Sequence, residues 1–245
     1  KVLDPATKVG FLLRMAVIHE QRLGDVEAAI RHYLSILEID QENADSIGAL
    51  DRIFTHLERW SDLVDNLRRQ ITITGEERDV IGLYFRMGQI YQMSMGDAAH
   101  AIEAYREILN IDPSHSPTQE SLELILAEGE HQAAIAEILE PIYYSAERWE
   151  SLVRLGTVKL EHTEDTVERL AIIQNVAEIC ERRLGDAQEA HIWWLRAYID
   201  DPLNETVAFE LERLAEVTQE WSHVVDIGDQ ILEEQNPSPE VRQAV

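Results

Sequence analysis

Histidine, cysteine and the carboxylates are the side chains of this 245-residue chain best able to do chemistry, and their spacing gives them little opportunity. The nine histidines stand at 19, 32, 56, 100, 115, 131, 162, 191 and 223. No two are three or four residues apart, the helical spacing that would aim both at one zinc ion. The single cysteine, Cys180, rules out an internal disulfide. It falls on an apolar stripe with Val176, Ala177 and Ile179, where a thiol is a small packing residue rather than a nucleophile. The stretch Asp40-Gln-Glu-Asn-Ala-Asp45 has the acidic density of a calcium loop, but it lacks the central glycine and the distal bidentate glutamate. Carboxylate pairs that could serve acid–base catalysis are everywhere among 47 acidic residues, so none marks a site. There is no glycine loop to cradle phosphate, no dinucleotide fingerprint, no nucleophile elbow and no paired-histidine zinc motif. The expectation is a chain that is not an enzyme and takes no metal and no cofactor.

The charge balance narrows the partners. Acidic residues outnumber basic ones 47 to 21, a formal net charge of −26. Such a surface repels nucleic acid and anionic lipid heads, and it either draws in basic protein segments or keeps the chain in solution. Hydrophobic residues make up 45% of the chain and are spread along it. No stretch approaches the roughly 18 apolar residues of a membrane span. Leu, Ala, Glu and Ile dominate, a bias toward helix because straight-chain residues lose little rotamer freedom there. Nothing in the sequence fixes the compartment, although a cytoplasmic one is favoured.

What positions these residues is a repeat. One block reads Leu23-Gly24-Asp25, Ala29-Ile30, Tyr33, Ile36-Leu37, Ile39-Asp40. It returns as Met95-Gly96-Asp97, Ala101-Ile102, Tyr105, Ile108-Leu109, Ile111-Asp112-Pro113, and again as Leu184-Gly185-Asp186, Ala190, Trp194, Ala197-Tyr198, Asp201-Pro202. The glycines are 72 and 89 residues apart. A second block alternates with it: Trp60, Leu63-Val64, then Trp149, Leu152-Val153, then Trp221, Val224-Val225, at spacings of 89 and 72. The extra 17 residues amount to one helix and a turn, and they fall between about Gln132 and Trp149. Within the first block the apolar positions 29, 30, 33, 36 and 37 form one helical stripe. Gly24 ends the preceding helix in a left-handed conformation, Asp25 caps the next, and the Asp-Pro pairs close it. His191 replaces the isoleucine of the other two blocks and reads as a core histidine, while His32 and His100 are expected to face solvent. Trp60, Trp149 and Trp221 are expected as wedges between stacked pairs. Trp194 matches Tyr33 and Tyr105 and is expected in the core. Its neighbour Trp193 is either exposed or fills the space beside Ala197.

This pattern resembles the tetratricopeptide repeat, a helix pair of about 34 residues. The stretch Met87-Gly88, Ile90-Tyr91, Gly96-Asp97, Ala101-Ile102, Tyr105, Ile111-Asp112-Pro113 carries the likeness in order, with Ala16 and Ala177 matching the small Gly88. Each glycine block has one residue more before its turn than the usual spacing. His19 sits where the family often places a buried aromatic, so it reads as a half-buried packing residue. The resemblance implies an all-α fold, a right-handed α-α superhelix (solenoid) of about six helix pairs plus one extra helix, about 13 helices in all. A single solenoid is expected over 1–235, with a change of phase near 131–149. The helix at 131–145 would end one pair and begin the next, kinked at Pro141. Residues 236–245 are expected as a linker or the start of a further repeat, and the chain as a segment of a longer array.

In function the resemblance implies an interaction scaffold that holds a partner peptide or protein segment on the concave face lined by the first helix of each pair. Carried over by position, that face is Leu13, Val17 and Glu20, then Phe85, Gln89 and Gln92, then Gln174, Glu178 and Glu181. It is apolar at its N-terminal end and acidic near its C-terminal end. The lysine–arginine–asparagine cluster with which some members hold a carboxylate tail is absent from these positions. A basic or amphipathic protein partner suits them better. The alternative readings are end-to-end self-association through exposed terminal repeats and, less favoured, an enzyme or RNA-binding helical repeat. No nucleic-acid or membrane partner is expected.

Overall fold

The computed structural model describes residues 4–234, so the expectation for 236–245 lies outside the described residues. Among the described residues there are thirteen α-helices and no strand. They are α1 (Pro5–Ile18), α2 (Val26–Leu37), α3 (Ala44–His56), α4 (Trp60–Ile73), α5 (Glu77–Gln89), α6 (Ala98–Ile111) and α7 (Ser116–Glu128). After them come α8 (Gln132–Ser145), α9 (Trp149–Glu161), α10 (Thr166–Ile179), α11 (Ala187–Asp200), α12 (Glu205–Thr218) and α13 (Trp221–Glu234). The chain divides into two compact units between Glu130 and His131.

In the first unit α1 packs on α2, α3 on α4 and α5 on α6, with α2–α3, α4–α5 and α6–α7 contacts joining successive pairs. In the second, α8 packs on α9, α10 on α11, and α12 on both α11 and α13. The odd helix is therefore α7. Helix α8 pairs with α9 and stays helical through Pro141, which is exposed.

The extra residue before each glycine turn has a structural explanation. Helices α1, α5 and α10 each run into a π-helical turn, at His19–Leu23, Ile90–Met95 and Cys180–Leu184. A π turn absorbs one added residue without losing the backbone bonding of the helix. Each then stops at a left-handed glycine, Gly24, Gly96 or Gly185, with φ of 66°, 65° and 69°. The aspartate that follows closes the turn twice over. Its N–H donates back to the carbonyl of His19, Tyr91 or Cys180 at 2.8–3.0 Å. Its carboxylate accepts from the N–H of Ala28, His100 or Glu189 and caps the next helix.

The cores follow the stripes. Tyr33, Ile36, Leu50, Leu67, Tyr105 and Ile108 are buried in the first unit, and Ile173, Val176, Cys180, Trp193, Leu211 and Leu214 in the second. The recurring tryptophans are corrected: Trp60 and Trp149 are half-buried and Trp221 is exposed. Trp149 lies at an edge, with Tyr144 edge-on at 5.6 Å and the Arg183 guanidinium 5.0 Å over its ring. Trp193 is the fully buried tryptophan; its indole N–H donates to Glu189 at 3.0 Å.

Candidate functional site

The first helices present equivalent positions three times, and the structure treats them differently. In the first pair Glu20 is half-buried. One of its oxygens accepts from the Tyr33 hydroxyl at 2.8 Å, and the other meets the Arg52 guanidinium at 2.7 Å. Burial, with the Glu20 carboxylate behind it, pushes the Tyr33 hydroxyl pKa well above its usual range. Leu13 is half-buried, while Val17 is exposed. Glu20 lines an open groove with Val26, Arg52, Ile53, His56 and Leu57.

The repeat around α5 carries no charge at these positions. Gln92 takes the place of Glu20 and accepts from the Tyr105 hydroxyl at 2.9 Å. Phe85 is half-buried against Tyr105 and His115, with ring centroids 5.9 and 5.6 Å away. Gln89 is exposed.

In the second unit Gln174, Glu178 and Glu181 come together in one groove, with Arg182, Trp194, Thr206, Glu210 and Arg213. Glu181 takes the Arg213 guanidinium on both oxygens, at 2.8 and 2.7 Å. The hydrogen bonds from Arg213 hold its carboxyl pKa below the ordinary value. Arg213 also reaches Glu210 at 2.8 Å, and Glu178 pairs with Arg182 at 2.7 Å. The groove is thus an alternation of carboxylates and guanidiniums rather than a bare acidic surface. Glu178 keeps most of its carboxylate in solvent.

The arginines were missed by reading only the first helices. The signal was present: Arg52 and Arg213 occupy the same repeat position, as do Glu20 and Glu181, so each glutamate has its arginine one helix pair on. Where Gln92 replaces the glutamate, Leu124 replaces the arginine and stands exposed.

The histidines divide as follows. His191 is buried in the core, and burial lowers its pKa. His19 is half-buried, its ring 5.3 Å from that of His32. His32, expected to face solvent, is itself half-buried by that contact. His100 is exposed, bonded to the Asp97 carboxylate at 2.7 Å and stacked on Tyr91. Cys180 is fully buried, and desolvation pushes its thiol pKa up to about 12, so it is no thiolate at neutral pH. Among the described residues no group of three or more His, Cys, Asp or Glu is arranged to hold a metal ion, and no helix is long and apolar enough to cross a membrane.

Residues 81–115, which span most of α5, its π turn and α6, match the tetratricopeptide repeat model. Over these residues the chain is similar to the tetratricopeptide repeat family. Solved structures similar to it include the TPR2AB-domain:pHSP90 complex of yeast Sti1, at 15% identity over 98% of this chain and 97% of that one, with a TM-score of 0.34. A tetratricopeptide repeat protein from Parabacteroides merdae is 10% identical over 97% of each chain, with a TM-score of 0.36. TTC0263, a thermophilic TPR protein of Thermus thermophilus, is 16% identical over 84% of this chain and 98% of its own, with a TM-score of 0.29. These values are low, and the assignment rests on the matched repeat and on the three glycine-turn helix pairs. No curated protein matches the sequence.

Proposed function

We propose that this chain is a non-enzymatic protein-interaction scaffold that holds amphipathic segments with basic residues on the faces of its first helices: in the first unit Leu13, Val17 and Glu20 with Phe85, Gln89 and Gln92, and in the second unit Gln174, Glu178 and Glu181. The groove of the second unit is the observation that carries this reading. It gathers three of those positions and offers an exposed side chain, Glu178, on a chain of net charge −26. Arg213 already occupies both oxygens of Glu181, so Glu178, paired only at the surface with Arg182, is the carboxylate left to a cationic group. In the first unit the exposed Gln89 and half-buried Phe85 of the neutral repeat suit an apolar stretch of a partner.

The test is capture of partners from native lysate on the immobilised chain at low and high salt, in parallel with Glu178→Arg. Glu178 is exposed, so its reversal leaves the fold intact. The expected result is a basic partner held at low salt, released at high salt and lost with the variant. A partner that binds Glu178→Arg as well as the parent sinks the assignment to this groove.

A further inference from the structure

Helices α1 and α13 carry the two halves of a junction that the chain builds internally. Within the first unit, α5 is covered on one side by α6 and on the other by α4. Met87 and Ile90 are consequently 6% and 7% exposed, and Val64 of α4 is 2% exposed. Arg86 of α5 reaches Asp51 of α3 through both guanidinium nitrogens, at 2.7 and 3.0 Å. In the second unit α9 covers α10 in the same way, with different polar contacts: Asn175 stands at the position of Arg86, and Glu140, at that of Asp51, pairs with Lys159. Gly156 lies so close to Val176, which holds the position of Met87, that a Cβ there would clash with it. Arg183 covers the Trp149 ring.

Helix α1 is a third copy of α5 and α10, packed on α2 and lacking a helix in the place of α4 or α9 among the described residues. Its equivalents of Met87 and Ile90 are Met15 and Ile18, which are 45% and 49% exposed, with Phe11 exposed beside them. Helix α13 is a third copy of α4 and α9. Val225, its equivalent of Val64, is 60% exposed.

The polar contacts match as well. The position of Arg86 is occupied in α1 by Arg14, and that of Asp51 in α12 by Glu212; both are exposed and opposite in charge. The position of Arg183 is occupied by Arg22, and that of Trp149 by Trp221, again both exposed. The Arg86–Asp51 pair of the first junction and the Arg183–Trp149 contact of the second thus each have both partners represented on these two faces.

We propose that a second copy of this chain covers α1: α13 of one molecule packs on α1 of the next, with Val225 against Phe11, Met15 and Ile18, Glu212 on Arg14 and Trp221 under Arg22. The contact is heterologous, head to tail, because the two patches differ. It uses none of the nine groove residues, so it stands or falls apart from the scaffold reading.

The experiment is sedimentation equilibrium of the intact chain and two variants, Met15→Glu and Val225→Glu, alone and mixed. Both sites are exposed, so helix content by circular dichroism is expected to be unchanged. The parent is expected to gain mass with concentration. Each variant alone is expected to associate at least about tenfold more weakly, since an ionised carboxylate is buried against an apolar patch. An equimolar mixture is expected to give a dimer, because each variant supplies the face the other lacks. A parent that stays monomeric at every concentration overturns the proposal and leaves the two faces to another helix pair. So does a variant that associates like the parent, or a mixture that stays monomeric.

Discussion

The junction of α4 with α5 and α6 and the junction of α9 with α10 and α11 occupy the same place in the repeat, yet they are filled from opposite sides. In the first unit the bulk comes from Leu67 of α4, fully buried, and α6 contributes the small Ala104. In the second unit the position of Leu67 is Gly156, and the position of Ala104 is Trp193. A Cβ on Gly156 would clash with Val176 and lie 3.6 Å from the Trp193 ring, so Val176 and the indole together take the space that a larger residue on α9 would need. Met87 becomes Val176 in the same exchange. The repeat keeps the backbone path and the filled volume, and leaves open which helix supplies the side chain.

Breaking the larger member should produce the largest effect. Trp193→Ala is expected to destabilise the second unit by about 3–5 kcal/mol, read from urea unfolding. Gly156→Leu alone is expected to cost about 1–3 kcal/mol, because the leucine meets both Val176 and Trp193. The two together should recover part of the loss from Trp193→Ala, since they recreate the Leu67–Ala104 filling. A double variant no more stable than Trp193→Ala alone would show that the two sites are not exchanging volume.

A second comparison lies within the first helices. Ala16, Gly88 and Ala177 share one position, and all three are buried. A Cβ on Gly88 would clash with the Tyr105 ring, whose Cδ1 would be 2.8 Å away. Gly88→Ala is expected to destabilise the first unit by about 1–3 kcal/mol through overpacking. Ala16→Gly and Ala177→Gly should cost less, about 0.5–1 kcal/mol each, the helix-interior difference between the two residues. Thermal unfolding of the three variants side by side sharpens the contrast; a Gly88→Ala protein as stable as the parent would mean that Tyr105 moves aside freely.

These sites also show how far the sequence could be read. The glycine turns were legible because a left-handed residue, an aspartate cap and an apolar stripe leave a joint signature at fixed offsets. The turns before the tryptophans were not. Glu58, Glu147 and Gln219 also adopt positive φ, at 53°, 54° and 62°, and nothing in a glutamate announces a left-handed backbone. The pairing of α8 with α9 depends on packing between elements that share no distinct pattern. The tryptophans misled in an instructive way: recurrence marked a position in the repeat, whereas burial went to the unrepeated Trp193 because Gly156 left it room. At the groove, Gln174, Glu178 and Glu181 were singled out by carrying the first-helix positions of the resembled family onto this sequence. The seating of Arg213 on Glu181 could not be found that way, because it joins two helices 32 residues apart.

That ion pair supports the finest of the predictions. Glu181 with Arg213 and Glu20 with Arg52 are two copies of one contact, and Gln92 with Leu124 is the copy from which both charges have gone. The pairs are partly exposed, so each should contribute only about 0.2–1 kcal/mol. Arg213→Ala is expected to lower the stability of the second unit by no more than that at neutral pH and low salt. The effect should vanish in acid. Arg213 holds the Glu181 pKa below its ordinary 4.5, so the folded state binds the proton less readily than the unfolded one. The stabilisation is therefore present above that value and lost as pH falls through the lowered folded pKa. Moving the pair into the neutral repeat by Gln92→Glu with Leu124→Arg sharpens the comparison further. The double variant should gain the same salt- and pH-dependent increment only if the removal of both charges, rather than the local backbone, is what sets that repeat apart. A gain that survives high salt would point instead to packing of the arginine stem in place of Leu124.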